Sequence, residues 1–270
     1  MVSIIFIFSV IFTYICVYIL DIYTWNTNFD AIDGFFILFI DYVPYYILKI
    51  IMLNQILFFC HMIYFIKLRL AILNTYVMKI TTQKIFGISI IQNGEIKVLP
   101  PNCTNNEKLN DVAKRVLQLT NVYRTLYETV DIISTTGGFG IGIVMFFLMV
   151  HLITTPYFVF SELAKGSNEN VEFLALQVLW TVAHSGKFFV IMETCNQCVS
   201  EAEETLKVIQ KLLVQETLSK IKRALLIFLI TCTNCRVEVN INALFKIERS
   251  ILTGFVAAIT TYLVVLLQFQ

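Results

Sequence analysis

The stretch from Ile132 to Phe160 is IISTTGGFGIGIVMFFLMVHLITTPYFVF, and it contains no Asp, Glu, Lys or Arg. A helix needs about 20 mainly apolar residues to cross the roughly 30 Å hydrocarbon core of a bilayer. This stretch is longer than that requirement. It therefore predicts a transmembrane helix that tilts or continues into water.

Four other apolar runs are long enough to cross the membrane, and they are Val2–Leu20, Phe35–Ile66, Val171–Met192 and Ile251–Phe269. The first could be mistaken for a signal peptide, but it has neither a basic start nor a small-residue cleavage site. A shorter run, Ala224–Cys232, predicts a buried or interfacial helix. The predicted fold class is all-α, a polytopic membrane protein with five transmembrane helices in this chain.

The composition supports this class. Hydrophobic residues make up 57% of the chain and charged residues 14%, whereas soluble domains have roughly 45–50% and about 25%. The net charge of +1 indicates no nucleic-acid partner. The seven cysteines are odd in number and not densely spaced, which excludes a disulfide framework.

Basic residues concentrate between the runs, and they predict the orientation, because Lys and Arg accumulate on the cytoplasmic side. Most of them lie in 67–131 and 193–250, whereas Asp21–Gly34 has none. The start of the chain is then inside and Gln270 outside. The predicted segments are two transmembrane helices (1–66), a cytoplasmic segment with an amphipathic helix (67–131), two transmembrane helices with a short extracellular loop (132–192), a cytoplasmic helical segment (193–250) and a C-terminal helix (251–270).

Both basic segments contain apolar residues at helical spacing. The first helix should start at Glu107 and run without a break into the third span, with an apolar stripe at Leu109, Val112, Val116, Leu119, Tyr123, Leu126 and Val130. The second should cover Glu201–Arg223, with a stripe at Leu206, Ile209, Leu213 and Ile221. Gly87–Asn106 predicts a loop that could contain a small hairpin at its Asn93-Gly94 turn.

A few ionisable side chains fall inside the spans, where a charge is costly unless it faces a protein interior or a water-filled cavity. Asp41, Lys49, His151 and His184 are candidates for a ligand cavity. Lys187 and Glu193 lie near a predicted inner boundary, and we expect them to reach towards the membrane surface instead. No nucleophile, base and orienting group occur together. The sequence therefore predicts neither an enzyme nor a bound cofactor.

Two CxxC pairs, Cys195/Cys198 and Cys232/Cys235, could in principle supply four thiolates to zinc. The gap between them is longer than usual, and the first pair falls at a helix end. We interpret them as small, reduced residues at the cytoplasmic membrane boundary, and we predict no metal site.

Two short motifs concern packing and topology. Gly138 and Gly142 have a spacing that lets helices approach closely, or that provides a gating hinge. Asn102-Cys103-Thr104 is a glycosylation sequon, and its predicted cytoplasmic position implies that it stays unmodified.

The last span contains Thr261-Tyr262, five hydrophobic residues and Gln268-Phe269. This pattern resembles the C-terminal signature of insect gustatory receptors. Upstream stretches resemble the same family, and they are Leu70–Asn74, Glu201–Thr205 and Ala243–Leu252.

The resemblance implies a ligand-gated, non-selective cation channel in the plasma membrane. Family members have seven transmembrane helices with the N-terminus cytoplasmic and the C-terminus extracellular, so the five spans here would be helices three to seven. The chain would then be a fragment or a shortened member. The partners implied are a small-molecule tastant, Na⁺, K⁺ and Ca²⁺ ions, the lipid bilayer and other subunits in a homo- or hetero-tetramer.

In that family the last helix lines the central pore. The resemblance therefore places Gln268 in the pore, makes Leu267 or Leu263 a hydrophobic constriction, and packs Tyr262 between helices. Sugar-receptor members have an acidic residue after the Thr-Tyr pair, where this chain has Leu263. That difference favours bitter or other repellent tastants.

Two alternatives stay open at this stage. One is an odorant receptor of the same superfamily. The other is a multi-pass solute transporter, which should show internal repeats with paired broken helices. We find no such repeat in the sequence.

Overall fold

In a computed structural model of the protein, the described residues are Ile15, 43–85, 106–164, 171–216, 218–241, 245–247 and 249–268. Within them the elements are α1 (Val43–Ile85), α2 (Asn106–Ala164), α3 (Val171–Gln215), α4 (Ser219–Asn234), β1 (Asn240–Ile241), β2 (Phe245–Lys246) and α5 (Arg249–Gln268). The first expected span, Val2–Leu20, and the loop with its Asn93-Gly94 turn lie outside the described residues.

Long apolar helices dominate the described chain. Three of them contain a stretch long and apolar enough to cross a membrane: Ile47–Ile80, Asn110–Phe160 and Leu174–Gln215. A shorter apolar stretch, Thr253–Val265, lies in α5. The all-α membrane fold predicted from the apolar runs is confirmed.

Helix α2 has 59 residues, which is about 90 Å at 1.5 Å per residue. It confirms the continuous helix expected from Glu107 into the third span.

Pro156 lies inside α2 and cannot donate a backbone hydrogen bond. The hydroxyl of Thr155 donates to the carbonyl oxygen of His151 at 2.7 Å. Pro156 leaves the carbonyl of Leu152, four residues earlier, without its usual helical donor, and the Thr155 bond does not replace it.

The amphipathic helix expected over Glu201–Arg223 is wrong in its extent. Helix α3 ends at Gln215 and α4 begins at Ser219. Between them the carboxylate of Glu216 accepts a hydrogen bond from the backbone N–H of Leu218 at 3.0 Å. A local bond of this kind gives the backbone an alternative to the helix, and it accounts for the break. The short run Ala224–Cys232 is helical and packs Leu225 and Phe228 inside, as expected.

A two-stranded hairpin connects α4 to α5, with Asn240 opposite Lys246 and Ile241 opposite Phe245. These two strands were not predicted from the sequence. Their signal is the alternation of buried Val237, Val239 and Ile241 with more polar neighbours, which has the period of two typical of a strand.

The chain divides into two compact units. The first contains residues 43–60 together with the described parts of Gly137–Thr194 and Ile247–Gln270. The second contains the described parts of His61–Thr136 and Cys195–Lys246, which include most of the two Lys- and Arg-rich segments.

In the second unit the apolar stripe of α2 packs on the chain itself. Tyr123 lies edge-on to Phe228 of α4, with ring centroids 6.0 Å apart. Its hydroxyl donates to the carbonyl oxygen of Cys235 at 3.2 Å. Val116, Tyr123 and Val130 are buried, so the stripe predicted from the sequence is confirmed over the described residues.

In the first unit α1 and α2 approach closely at a glycine. A Cβ atom added to Gly140 would meet the side-chain amide of Gln55. Gly138, two residues earlier, is buried and Gly142 is half-buried. The close approach is at Gly140, and the interpretation of Gly138 and Gly142 as a packing motif or a gating hinge stays a prediction.

Candidate functional site

Three of the four side chains predicted to line a ligand cavity meet in the first unit. The amine of Lys49 on α1 lies 3.1 Å from Nε2 of His151 on α2 and 3.4 Å from Nε2 of His184 on α3. The two imidazole rings are 4.6 Å apart. The fourth candidate, Asp41, lies outside the described residues.

The hydrogen bonds determine which nitrogen of His184 carries the proton. Its Nδ1 lies 2.6 Å from the carbonyl oxygen of Trp180, one turn earlier in α3. A carbonyl only accepts, so Nδ1 donates and Nε2 is left as an acceptor. A protonated lysine amine only donates. When Lys49 is protonated, its amine donates to Nε2 of both histidines, and both imidazoles are then neutral.

Two aromatic rings also lie close to the amine. Nζ of Lys49 lies 5.0 Å from the ring centroid of Tyr45 and 5.2 Å from that of Trp180. Both distances are within the range at which a cation is attracted to an aromatic ring. We call Tyr45, Lys49, His151, Trp180 and His184 the lysine cluster.

Three of the five side chains of the cluster are buried, whereas His151 is half-buried and Tyr45 is 39% exposed. Lys49 is 5% exposed, His184 2% and Trp180 8%. Trp180 packs with Leu176 and Ala183 in an apolar core. A buried charge is costly unless it is hydrogen-bonded. The two imidazoles meet that need at the place where three helices come together.

Two other ionisable residues in α3 were expected to reach the membrane surface. Lys187 is instead buried, with 4% of its surface exposed. Glu193 is half-buried. The expectation that it reaches towards the membrane surface is wrong for Lys187, because the packing of the chain encloses its side chain.

Helix α5 carries the residues of the C-terminal signature. Its start is held to α3 by Phe255, whose ring centroid lies 4.8 Å from that of Phe188. Thr261 and Gln268 are exposed and Leu263 is half-buried. The side chains of Leu267 and Phe269 lie outside the described residues. Tyr262, expected to pack between helices, is 51% exposed within the described chain.

The described cysteines are all free thiols. Among the described residues, no group of three or more His, Cys, Asp or Glu side chains is arranged to hold a metal ion. Cys232 of the second CxxC pair is buried beside Tyr123. Burial raises the pKa of the Cys232 thiol from 9.0 to about 12; the hydrogen bond with Tyr123 opposes this rise, and the neighbouring Cys235 adds to it. This thiol is therefore protonated at neutral pH and is a poor nucleophile.

Comparison with known proteins places the chain among receptors. The family described as 7tm chemosensory receptor matches residues 1–270. The chain is also similar to the gustatory receptor for sugar taste 43a of Drosophila melanogaster, at 27% identity over 159 residues. That match covers 56% of this chain and 35% of the relative, so it spans about a third of the relative's length.

Among solved structures, the chain is similar to the olfactory receptor OR5 of the insect Machilis hrabei, determined in complex with eugenol. The TM-score is 0.48 at 12% sequence identity, and the match covers 82% of this chain and 69% of that one.

The match over the whole chain decides the family, and together with the Drosophila relative it confirms the resemblance to insect gustatory receptors. It also identifies the chain as a receptor and not an enzyme. This multi-pass membrane protein belongs to the 7tm chemosensory receptor family.

Proposed function

We propose that the chain is a subunit of a gustatory receptor, a non-selective cation channel that a small tastant opens. The observation that carries the proposal is the family match over residues 1–270, together with the Thr261-Tyr262 and Gln268-Phe269 signature in the last helix. In this proposal the channel conducts Na⁺, K⁺ and Ca²⁺ through the centre of a homo- or hetero-tetramer in the plasma membrane.

The surface of α5 supports its proposed position at the pore. Val256, Tyr262 and Val264 are each about half exposed in the single chain. In a membrane such side chains contact either lipid or another chain. Gln268 is exposed at the end of the same helix, and its amide would lack hydrogen bonds against lipid but not in a water-filled lumen. Leu263 and Leu267 would then form the hydrophobic constriction.

Gln268 offers a direct test of the pore. In the tetrameric channel, Gln268→Arg should lower cation conductance because it adds a ring of positive charge. Gln268→Glu should favour entry of divalent cations or block by them. Single-channel recording in Na⁺ and in Ca²⁺ measures both effects, and Gln268→Asn is the matched neutral control. If both charged variants keep the conductance and selectivity of the parent channel, Gln268 does not line the pore.

The lysine cluster is the proposed tastant site, or part of it. It is a polar group of side chains in an otherwise apolar region, and small-molecule sites commonly combine apolar walls with a few placed polar groups. In this proposal the tastant reaches the cluster from the extracellular side, with Gln270 outside and the two basic segments in the cytoplasm.

For the tastant we propose a bitter or otherwise repellent compound, because Leu263 occupies the position at which sugar receptors resemble one another in having an acid. A sugar is the second candidate, since the Drosophila relative is a receptor for sugar taste by its name. The two candidates differ in charge and polarity, so a response panel separates them.

The experiment is whole-cell recording from cells that express the product of the native transcript. A repellent compound should evoke an inward current that reverses near 0 mV with Na⁺ or K⁺ outside. A response to sugars and not to repellent compounds would select the second candidate. A surface-expressed protein that gives no cation current with either panel would overturn the channel proposal.

A further inference from the structure

The surroundings of Lys49 have the chemistry of a cation site. Two neutral imidazoles direct their Nε2 acceptors at one point, 3.1 and 3.4 Å from the amine. The rings of Tyr45 and Trp180 lie 5.0 and 5.2 Å from the same point. Acceptor nitrogens and aromatic rings both attract a positive charge. The four side chains are therefore arranged around an ammonium group, and the group present is the chain's own.

We propose that Tyr45, His151, Trp180 and His184 form a recognition site for a primary alkylammonium group, which Lys49 of the same chain occupies in this structure. The four residues come from three helices, α1, α2 and α3, so the occupied site holds those helices together. A ligand of this class carries a terminal ammonium group on an unbranched apolar stem, as lysine does. This inference deepens the proposed function by naming the ligand class of the same site.

The enclosed stem of Lys49 limits which ammonium compounds should fit the site. Lys49 is 5% exposed, so its methylene groups as well as its amine are enclosed. A stem longer or shorter than that of lysine would misplace the charge relative to the two Nε2 atoms. A quaternary ammonium has no N–H groups to donate to them. We therefore expect the site to prefer a primary amine of matching length.

Lys49 is an intramolecular competitor for any such ligand. A tethered group acts at an effective concentration of the order of millimolar or higher. Free small amines should therefore bind weakly to the parent chain. A tastant that displaces Lys49 must make further contacts of its own.

Removing the lysine stem exposes the site for measurement. Lys49→Ala deletes the four atoms from Cγ to Nζ, which correspond to n-propylammonium. The purified variant, in detergent at pH 7.5, is titrated with n-propylammonium chloride while its thermal unfolding midpoint is followed. At this pH an alkylamine with a lysine-like pKa is protonated. Ligand that binds only the folded state raises the midpoint, by about 5 °C or more at 100-fold over Kd.

The controls separate charge from cavity filling. 1-Propanol and sodium propanoate have the same stem with a neutral or a negative end, and both should leave the midpoint unchanged. Methylammonium and n-hexylammonium should act more weakly than n-propylammonium. In Lys49→Met a side chain of similar length fills the space without a charge, so n-propylammonium should have no effect on that variant or on the parent.

Each contrary outcome overturns the proposal. Equal stabilisation by 1-propanol would mean that a dry cavity is filled without recognition of charge. Stabilisation by propanoate would make the cluster an anion site served by the remaining histidines. If Lys49→Ala aggregates, it is expressed with and without n-propylammonium in the medium. Failure of the amine to restore monodisperse protein would also count against the site.

The assay measures binding to purified protein and needs no current. A negative result leaves the channel proposal untouched. A failed current with a positive thermal shift would leave the ammonium site intact.

Discussion

At the residue scale, Lys49 shows how a charge is accommodated among apolar helices. An ammonium within a membrane span costs a few kcal/mol or more when it has no compensating interaction. Here its neighbours provide two nitrogen acceptors and two aromatic rings. Each partner contributes part of the compensation, so removing one partner should destabilise the fold while the charge stays in place.

His184 is the partner most suited to a test, because its tautomer is fixed by Trp180. His184→Phe keeps a ring of similar size but removes the acceptor, and we expect it to lower the unfolding free energy by about 1–3 kcal/mol. Thermal unfolding of the purified chain in detergent measures the loss. His61, which is exposed on α1, supplies the matched control, and His61→Phe should change stability by less than about 0.5 kcal/mol. If the two substitutions lower the unfolding free energy equally, the bond from Lys49 to His184 does not stabilise the fold.

Cys232 gives a pH-dependent prediction in the second unit. The pKa of its thiol is raised from 9.0 to about 12 by burial. The folded state therefore keeps its proton at pH values where the unfolded state loses it. The stabilisation is complete below about pH 9 and is lost as the pH rises towards 12, by up to about 1.4 kcal/mol per pH unit.

The measurement for Cys232 is denaturant unfolding between pH 8 and 11. Cys232→Ala should flatten the decline in unfolding free energy, because it removes the titrating group. Burial also raises the pKa of the Cys198 thiol from 9.0 to about 12, so part of the decline should remain in Cys232→Ala. Cys235→Ala, three residues away at a half-buried position, should retain the slope of the parent. An equal slope in all three proteins would assign the pH dependence to other groups.

At the element scale, Gly140 leaves space between α1 and α2 for the side chain of Gln55. A Cβ atom on Gly140 would meet the amide of Gln55, so a leucine there would have to displace that amide and repack beside it. Overpacking of this kind costs about 1–3 kcal/mol. Gly140→Leu should therefore lower the thermal midpoint of the purified chain.

Gly254 on α5 is the matched control for Gly140. An added Cβ atom there meets no described atom within 4 Å. Gly254→Leu should leave the midpoint of the detergent-solubilised chain within experimental error. The account of the α1 and α2 crossing would fail if the leucine at Gly140 were as harmless as the one at Gly254.

The helices were predictable because their apolar residues keep the same spacing over many consecutive positions. The apolar runs and the three- to four-residue spacing of Val116, Tyr123 and their neighbours identified the helices. The turn at Glu216 was missed because a single side-chain to backbone bond decides it. The hairpin was missed because the alternation of Val237, Val239 and Ile241 covers only a few residues beside a helical pattern.

The ionisable residues of the candidate site were predictable from the sequence, but their arrangement was not. Lys49, His151 and His184 are conspicuous because ionisable groups are costly in a membrane span. Their meeting depends on how three helices rotate about their axes, and residues more than a hundred positions apart in sequence give no local signal of it. Trp180 and Tyr45 were missed altogether, since an aromatic residue in an apolar run is ordinary.

At the scale of the whole molecule, the two basic segments belong to one compact unit. In the sequence they are separated by two spans, and charge alone suggested that both are cytoplasmic. Side chains that contact each other lie at the same level relative to the membrane. Tyr123 from the first segment and Phe228 from the second make such a contact. The packing therefore adds an argument for a common side that is independent of charge.

Cysteine labelling tests whether the two basic segments lie on the same side of the membrane and whether that side is cytoplasmic. Asn121 on α2 and Gln210 on α3 are exposed residues of this unit, so a cysteine at either position can react without disturbing the packing. Because Lys and Arg mark the cytoplasmic side, neither Asn121→Cys nor Gln210→Cys should react with a membrane-impermeant maleimide in intact cells, and both should react after permeabilisation. Ser167→Cys, in the short segment predicted to be extracellular, is the positive control, and the parent chain gives the background. Labelling of both test sites from outside would invert the topology, whereas labelling of only one would contradict the packing of the two segments into a single unit.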